Sequence, residues 1–330
     1  MARQSGCMRA REVVVASAGV QLHGTLTMPR SGTGPYPGLL LIPGSGPIDQ
    51  NGNVPGVLDD SMYRQLAQDL SCDGAAVLRF DKQGLEPSTG NGNAATLSSY
   101  VRNVRDLAVW LGHQPEIDPR RIVLMGHSEG GLIALAATPS SDVAGVILLE
   151  APGMPLARVI ADQVRAQAEA RGAKAAEVAH LKAEIAAALA AVRAARGETM
   201  SVSGALAQNP YAQVFSPAAG LLRSELSVDP QALAHALHVP VLVVQGGKDL
   251  QVLPENGMRL AHAAQSGTLV ELPAMTHDLI RCPQAAIDCL KPPADARLDA
   301  HLITAVTTWL RGMQALHMAG AGSADQRFHG

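Results

Sequence analysis

Three side chains, in the chain order Ser128, Asp249 and His277, have the types needed for nucleophilic acyl transfer. A serine hydroxyl is a weak nucleophile at neutral pH. It becomes effective when a neutral imidazole takes its proton and later returns it to the leaving group. A carboxylate fixes the imidazole tautomer and stabilises the imidazolium. Ser128 lies in Gly126-His127-Ser128-Glu129-Gly130-Gly131, a match to G-x-S-x-G. The pattern is common by chance, and its weight comes from its flanks. Residues 121–125 (RIVLM) read as a buried strand and residues 132–137 (LIALAA) as a helix, so the serine sits at a tight strand-to-helix corner. Residues 240–245 (PVLVVQ) form another strand reading, which runs into Gly246-Gly247-Lys248-Asp249. Residues 268–272 (TLVEL) lead through a short loop to His277. Asp249 and His277 are thus expected just past the carboxyl ends of strands, where sheet enzymes place their chemistry. Glu150, just past the strand reading at 145–149, lies between Ser128 and His277 in order and competes with Asp249 as the acid.

Acyl transfer also needs donors for the negative charge that develops on the carbonyl oxygen. Residues 38–42 (GLLLI) read as a strand, followed at once by Pro43-Gly44-Ser45-Gly46-Pro47, a loop that leaves backbone N–H groups free. The backbone N–H groups of Ser45 and Glu129 are the expected oxyanion donors, with Gly46 beside them against the substrate.

These motifs together resemble the α/β-hydrolase superfamily, in particular bacterial serine esterases related to dienelactone hydrolase and to acetyl esterases. The likeness rests on Pro43 to Asn53 (PGSGPIDQNGN), on Arg79-Phe80-Asp81-Lys82-Gln83-Gly84, on the Ser128 corner and on 245–252 (QGGKDLQV), and spans about residues 12–150 and 228–315. It implies an α/β-hydrolase fold, ester hydrolysis through an acyl-enzyme, and no cofactor or metal. Two positions depart from the family's pattern: Leu85-Glu86-Pro87-Ser88 stands where a small Gly-Ser turn is usual, and Asp278 follows His277 where an apolar residue is usual. Both bear on pocket shape. A peptidase or thioesterase would use the same triad, and a silent hydrolase fold serving as a binding protein would lack turnover.

Composition points the same way. A chain of 330 residues holds one large α/β domain and an insertion, and 47% hydrophobic residues supply its core. A net charge of −3 without a basic block argues against nucleic acid, and 3% aromatics against a stacking surface. The expected partner is a small-molecule ester. No C-x-x-C spacing marks a zinc site among Cys7, Cys72, Cys282 and Cys289. Cys282 and Cys289 flank a short loop and can bridge, but free thiols are the expectation for a cytosolic protein. No apolar run approaches a membrane span, and residues 13–16 are too short for an export-signal core, so a cytoplasmic location is expected.

Strand and helix readings alternate along the chain, which implies a mostly parallel sheet flanked by helices. Residues 12–16 and 22–28 read as an antiparallel pair that opens the sheet. Residues 12–154 and 227–316 are the two expected parts of the core, with tails at 1–11 and 317–330. Between the parts, 155–226 carry apolar residues at helical spacing, among them Val178, Leu181, Ile185, Leu189 and Val192. This segment is expected to be an inserted helical lid, with Leu181 and Ile185 lining the acyl pocket.

Overall fold

The structure is a computed structural model that describes residues 6–325 except 33, 291 and 294. Two strands open it, β1 (Met8–Ser17) and β2 (Val20–Pro29), paired antiparallel through the short turn between them. Alternation of strand and helix follows: β3 (Tyr36–Ile42), α1 (Met62–Cys72), β4 (Ala76–Phe80), α2 (Leu97–Gly112), β5 (Ile117–His127), α3 (Glu129–Ala137) and β6 (Gly145–Leu149). A helical stretch then separates β6 from the rest of the sheet: α4 (Leu156–Ala170), α5 (Ala175–Ala194), α6 (Pro210–Phe215), α7 (Ala219–Glu225) and α8 (Pro230–His235). The chain ends with β7 (Val241–Gly246), α9 (Glu255–Ala263), β8 (Gly267–Leu272) and α10 (Ala300–Asp325).

The eight strands form one sheet in the order β1-β2-β4-β3-β5-β6-β7-β8, parallel from β4 through β8. Its central strands are apolar throughout because both faces are covered, which is what a parallel sheet demands. One face packs on α2, α3, α8 and α9 through residues such as Leu40, Leu124 and Leu148; the other packs on α1 and α10 through Leu39, Val123 and Leu302. The chain runs from β3 outward to β4 and then crosses back to β5 on β3's other side. The sheet therefore reverses its winding between β3 and β5, and a crevice opens at their carboxyl ends. Ile42 pairs with Gly126 in register, so the loop after β3 and the corner after β5 leave the sheet side by side.

Two expectations are corrected here. The four cysteines are not free thiols: Cys7 bonds Cys72 and Cys282 bonds Cys289. Folding brings the end of α1 under the start of β1, with 5.3 Å between the two Cα atoms, a proximity that a separation of 65 residues conceals. Nor are the ends structureless tails as far as they are described. β1 starts at Met8 because Met8–Ser17 pairs along its whole length with β2, and α10 continues to Asp325. The parts of those expectations at 1–5 and 326–330 lie outside the described residues. Among the described residues no helix is long and apolar enough to cross a membrane.

Candidate active site

Ser128 occupies the turn between β5 and α3 with φ 53° and ψ −124°, a conformation that L residues adopt only when the surroundings impose it. The surroundings do impose it. The Ser128 N–H donates to Leu149 O at 2.9 Å and its carbonyl accepts from Gly131 N–H at 2.8 Å. A Cβ on Gly126 would strike the Gly130 carbonyl, and one on Gly130 would strike Ile42 O. These two glycines let the corner fold against itself and against β3, and push the serine side chain outward. Glu129 is the first residue of α3, so its N–H has no acceptor within the helix and is free for a ligand.

Asp249 and His277 meet. The His277 Nδ1–H donates to Asp249 Oδ2 at 2.8 Å, which leaves Nε2 as the ring's basic nitrogen. Asp249 Oδ1 accepts from the N–H groups of Gln251 and Val252 at 2.6 and 2.9 Å, so the loop after β7 fixes the carboxylate on both oxygens. Burial alone would raise the Asp249 carboxyl. The His277 ring and these N–H donors outweigh it and hold the pKa below the ordinary value. Burial likewise works to lower His277, and Asp249 beside it reverses the sign, so the imidazole is raised.

Glu150, the competing acid, does not contact His277. It is fully buried, accepts from Gly246 N–H at 2.6 Å and from the Gln245 side-chain amide, and hydrogen-bonds Asp249. Burial, then the Asp249 charge, push its pKa well above the carboxylate range. Glu150 therefore bears on Asp249 and not on His277.

Ser128 and His277 line one cavity of about 540 Å³, together with Gly44, Ser45, His127 and Asp278. Its far wall comes from the 48–58 segment, Gln251, Leu290 and Pro292. The sequence reading thus brings Ser128, Asp249, His277 and Ser45 to one place. Gly46 is exposed beside Ser45 at φ 82° and does not line the cavity. Leu181 and Ile185 do not line it either. Helix α5 spends its apolar stripe on α4, α6 and α7, and Ile185 is 1% exposed. The part of the insertion that reaches the site is α4, where Gln163 and Gln167 hydrogen-bond Gln251 and Leu250 O of the Asp249 loop.

The sequence reading gave no role to several residues that hold this site in shape. His127 Nε2–H donates to the His277 carbonyl at 2.8 Å, so its Nδ1 must accept, and the Tyr63 hydroxyl donates to it at 2.8 Å. The same hydroxyl accepts from Gly44 N–H at 2.9 Å. This chain of bonds ties the β3 loop to the histidine loop through the Ser128 corner. Burial and the neighbouring His277 lower His127 to about 3, so it stays neutral and the chain keeps one polarity. Lys82 is a second brace: its ammonium donates to Gly44 O at 2.7 Å and to Glu129 Oε2 at 2.9 Å, and lies 5.3 Å from the Tyr100 ring centre. Glu225 of α7 is buried against Glu129 and Lys82, and burial followed by the Glu129 charge raises its carboxyl well above the usual range. Arg79 and Asp81 clamp the 48–53 loop, Arg79 through Gln50 O and Asn51, Asp81 through Gln50 N–H at 2.7 Å. The run Arg79-Phe80-Asp81-Lys82 is thus a set of anchors at the end of β4.

A family model described as serine aminopeptidase, S33, matches residues 55–283. Esterase EstD of Thermotoga maritima is 25% identical over 238 residues, 70% of this chain and 50% of that protein. An uncharacterized protein of Mycobacterium tuberculosis is 28% identical over 164 residues, 46% of this chain and 53% of that protein. The chain spans about half the length of the curated relatives it matches. Among solved structures, Est1E of Butyrivibrio proteoclasticus with bound ferulic acid is 17% identical with a TM-score of 0.57, over 93% of this chain and 99% of that one. A thermophilic esterase of Thermogutta terrifontis is 20% identical with a TM-score of 0.53, over 92% and 99%. These structures share the fold.

Proposed function

The chain belongs to the serine aminopeptidase S33 family of α/β-hydrolases, and from that premise we propose that it is a carboxylesterase working through an acyl-enzyme. Ser128 attacks the ester carbonyl while His277 Nε2 takes its proton. Asp249, bonded to Nδ1, holds the tautomer and stabilises the imidazolium. The backbone N–H groups of Ser45 and Glu129 receive the oxyanion. His277 then protonates the departing alcohol, and a water activated by the same ring releases the acid. The observation that carries the reading is the Asp249–His277 bond of 2.8 Å, with His277 lining a cavity that also holds a strained Ser128. The likeness to the esterase EstD and to the Thermogutta esterase favours ester over amide substrates.

The cavity suits acyl groups of short to medium length. Its far wall, Ile48, Val54, Val57 and Leu58, is apolar and sits where an acyl chain would extend. The insertion between β6 and β7 acts as a lid mainly through α4, whose contacts with the Asp249 loop couple the two. Hydrolysis of p-nitrophenyl acetate, butanoate and octanoate by the wild type and by Ser128→Ala tests the reading. The wild type should turn over at least the two shorter esters, and Ser128→Ala should lose about 10⁴-fold or more in kcat. A wild type inert towards all three esters would defeat it.

A further inference from the structure

Asp278 is a buried acidic residue next to the triad histidine. It follows His277 directly, is 9% exposed, and lines the cavity shared by Ser128 and His277. Among the described residues its carboxylate makes no hydrogen bond and no ion pair, although a buried carboxylate without a partner is costly. A second carboxylate stands beside it. Asp60 is 3% exposed; its Oδ1 accepts from Met62 N–H at 3.1 Å, while its Oδ2 is buried with no partner at all. Burial is the main cause that pushes Asp278 up to about 6; the adjacent His277 ring works the other way, and Asp60 then adds repulsion. No lysine or arginine lines the cavity among its described residues. Val54, Leu58 and Met62 make part of the wall apolar, and Ser45, Ser128 and Gln251 beside them carry no charge.

An unpaired carboxylate that lines the reaction space, with a second one close enough to act on its charge, is a receptor for positive charge. We propose that Asp278, backed by Asp60, is a subsite that selects ester substrates carrying a protonated amine or other ammonium group. The inference rests on the esterase reading above and adds a substrate class to it. The ammonium gives Asp278 the partner that the fold withholds. It also screens Asp278 from Asp60, so the cation is favoured over a neutral hydroxyl, which would only be a hydrogen-bond donor. A low-dielectric wall strengthens such a pair relative to water.

The test uses esters that differ only in ammonium against methyl or tert-butyl: β-alanine ethyl ester with ethyl butanoate, 4-aminobutanoate ethyl ester with ethyl pentanoate, and butyrylcholine with 3,3-dimethylbutyl butanoate. They are assayed by pH-stat at pH 7.5 on the wild type, Asp278→Asn and Asp278→Glu. The readout is the ratio of kcat/KM, cationic over neutral, within each pair. Changes in the general vigour of a variant cancel in this ratio. For at least one pair the ratio should fall by about 10-fold or more in Asp278→Asn, as expected for loss of a partly buried charge pair. It should be largely retained in Asp278→Glu. Should Asp278→Asn not fold, competitive inhibition of the wild type by n-butylammonium decides, since binding tighter than that of 1-pentanol is required. Ratios unchanged within twofold for all pairs, or equal inhibition by amine and alcohol, would overturn the subsite. A wild type that hydrolyses none of the neutral esters would instead overturn the esterase reading, so the two failures are distinct.

Discussion

The same Asp278 leads to a stability prediction whose size comes from the site itself. Burial raises this carboxyl from 3.8 to about 6, against the opposing pull of His277 and with added repulsion from Asp60 and Asp249. A carboxyl whose folded pKa is raised favours the protonated form in the native state. The native state therefore loses stability as pH rises through the interval from about 4 to about 6, and stays penalised above it. A shift of about two units corresponds to about 3 kcal/mol, an upper value because each unit is worth about 1.4 kcal/mol only if the unfolded chain titrates normally. Asn is nearly isosteric and carries no charge. Asp278→Asn should therefore be more stable than the wild type by up to about 3 kcal/mol at pH 8, and by almost nothing at pH 4. Because Asp60 contributes to the shift, the gain should shrink in an Asp60→Asn background. Urea unfolding of the four variants at pH 4, 6 and 8, followed by circular dichroism, gives the values. A gain at pH 8 that persists undiminished at pH 4, or no gain at either pH, would refute the electrostatic reasoning. Residues that cost stability and gain it back when neutralised are those a binding site retains for its ligand.

Three further outcomes follow from the bracing around Ser128. Tyr63→Phe leaves Gly44 N–H and His127 Nδ1 without partners, so it should cost about 2–4 kcal/mol in denaturant unfolding and lower kcat more than it changes KM, since Ser45, the proposed oxyanion donor, lies in the same loop. Asp249→Asn should lower kcat by about 10⁴-fold, as expected for a lost histidine tautomer, and Glu150→Gln far less; because the Asp249 charge raises His277, the acid limb of any residual rate in Asp249→Asn should move to lower pH in a kcat/KM profile. Lys82→Met strands Glu129 and Glu225 without their cation and should cost about 3–5 kcal/mol, much of it recovered in Lys82→Met/Glu129→Gln when melting is compared across the set.

The parts of this site that were legible in the sequence are those written locally. Apolar runs such as 38–42 and 240–245 admit little but buried parallel strands, and each ends in a Gly-rich loop. That placed Ser45, Ser128 and Asp249 at one edge of the sheet before any contact was known. The illegible parts depend on long-range register. Nothing in the spacing of Cys7 and Cys72 signals a bond that forms only when β1 lies over the end of α1. His127 and Glu129 read as the variable positions of a serine motif. Their function comes from Tyr63 and Lys82, which arrive from other elements. The stripe with Leu181 and Ile185 read correctly as a helix, but periodicity reports that a face is buried and not what buries it; here α4, α6 and α7 do so, and the wall of the cavity comes from 48–58. The choice between Asp249 and Glu150 needed the direction of the β7 loop, which turns Asp249 towards His277 and leaves Glu150 behind it.

The central claim is that Ser128 is the acylated nucleophile. Intact-protein mass spectrometry after treatment with a fluorophosphonate, on the wild type and on Ser128→Ala, tests it most directly. One phosphonyl group should add to the wild type, map to the peptide containing Ser128, block hydrolysis of p-nitrophenyl acetate in the same proportion, and be absent from Ser128→Ala. A folded Ser128→Ala that still takes the label, or still hydrolyses the ester, would contradict the account.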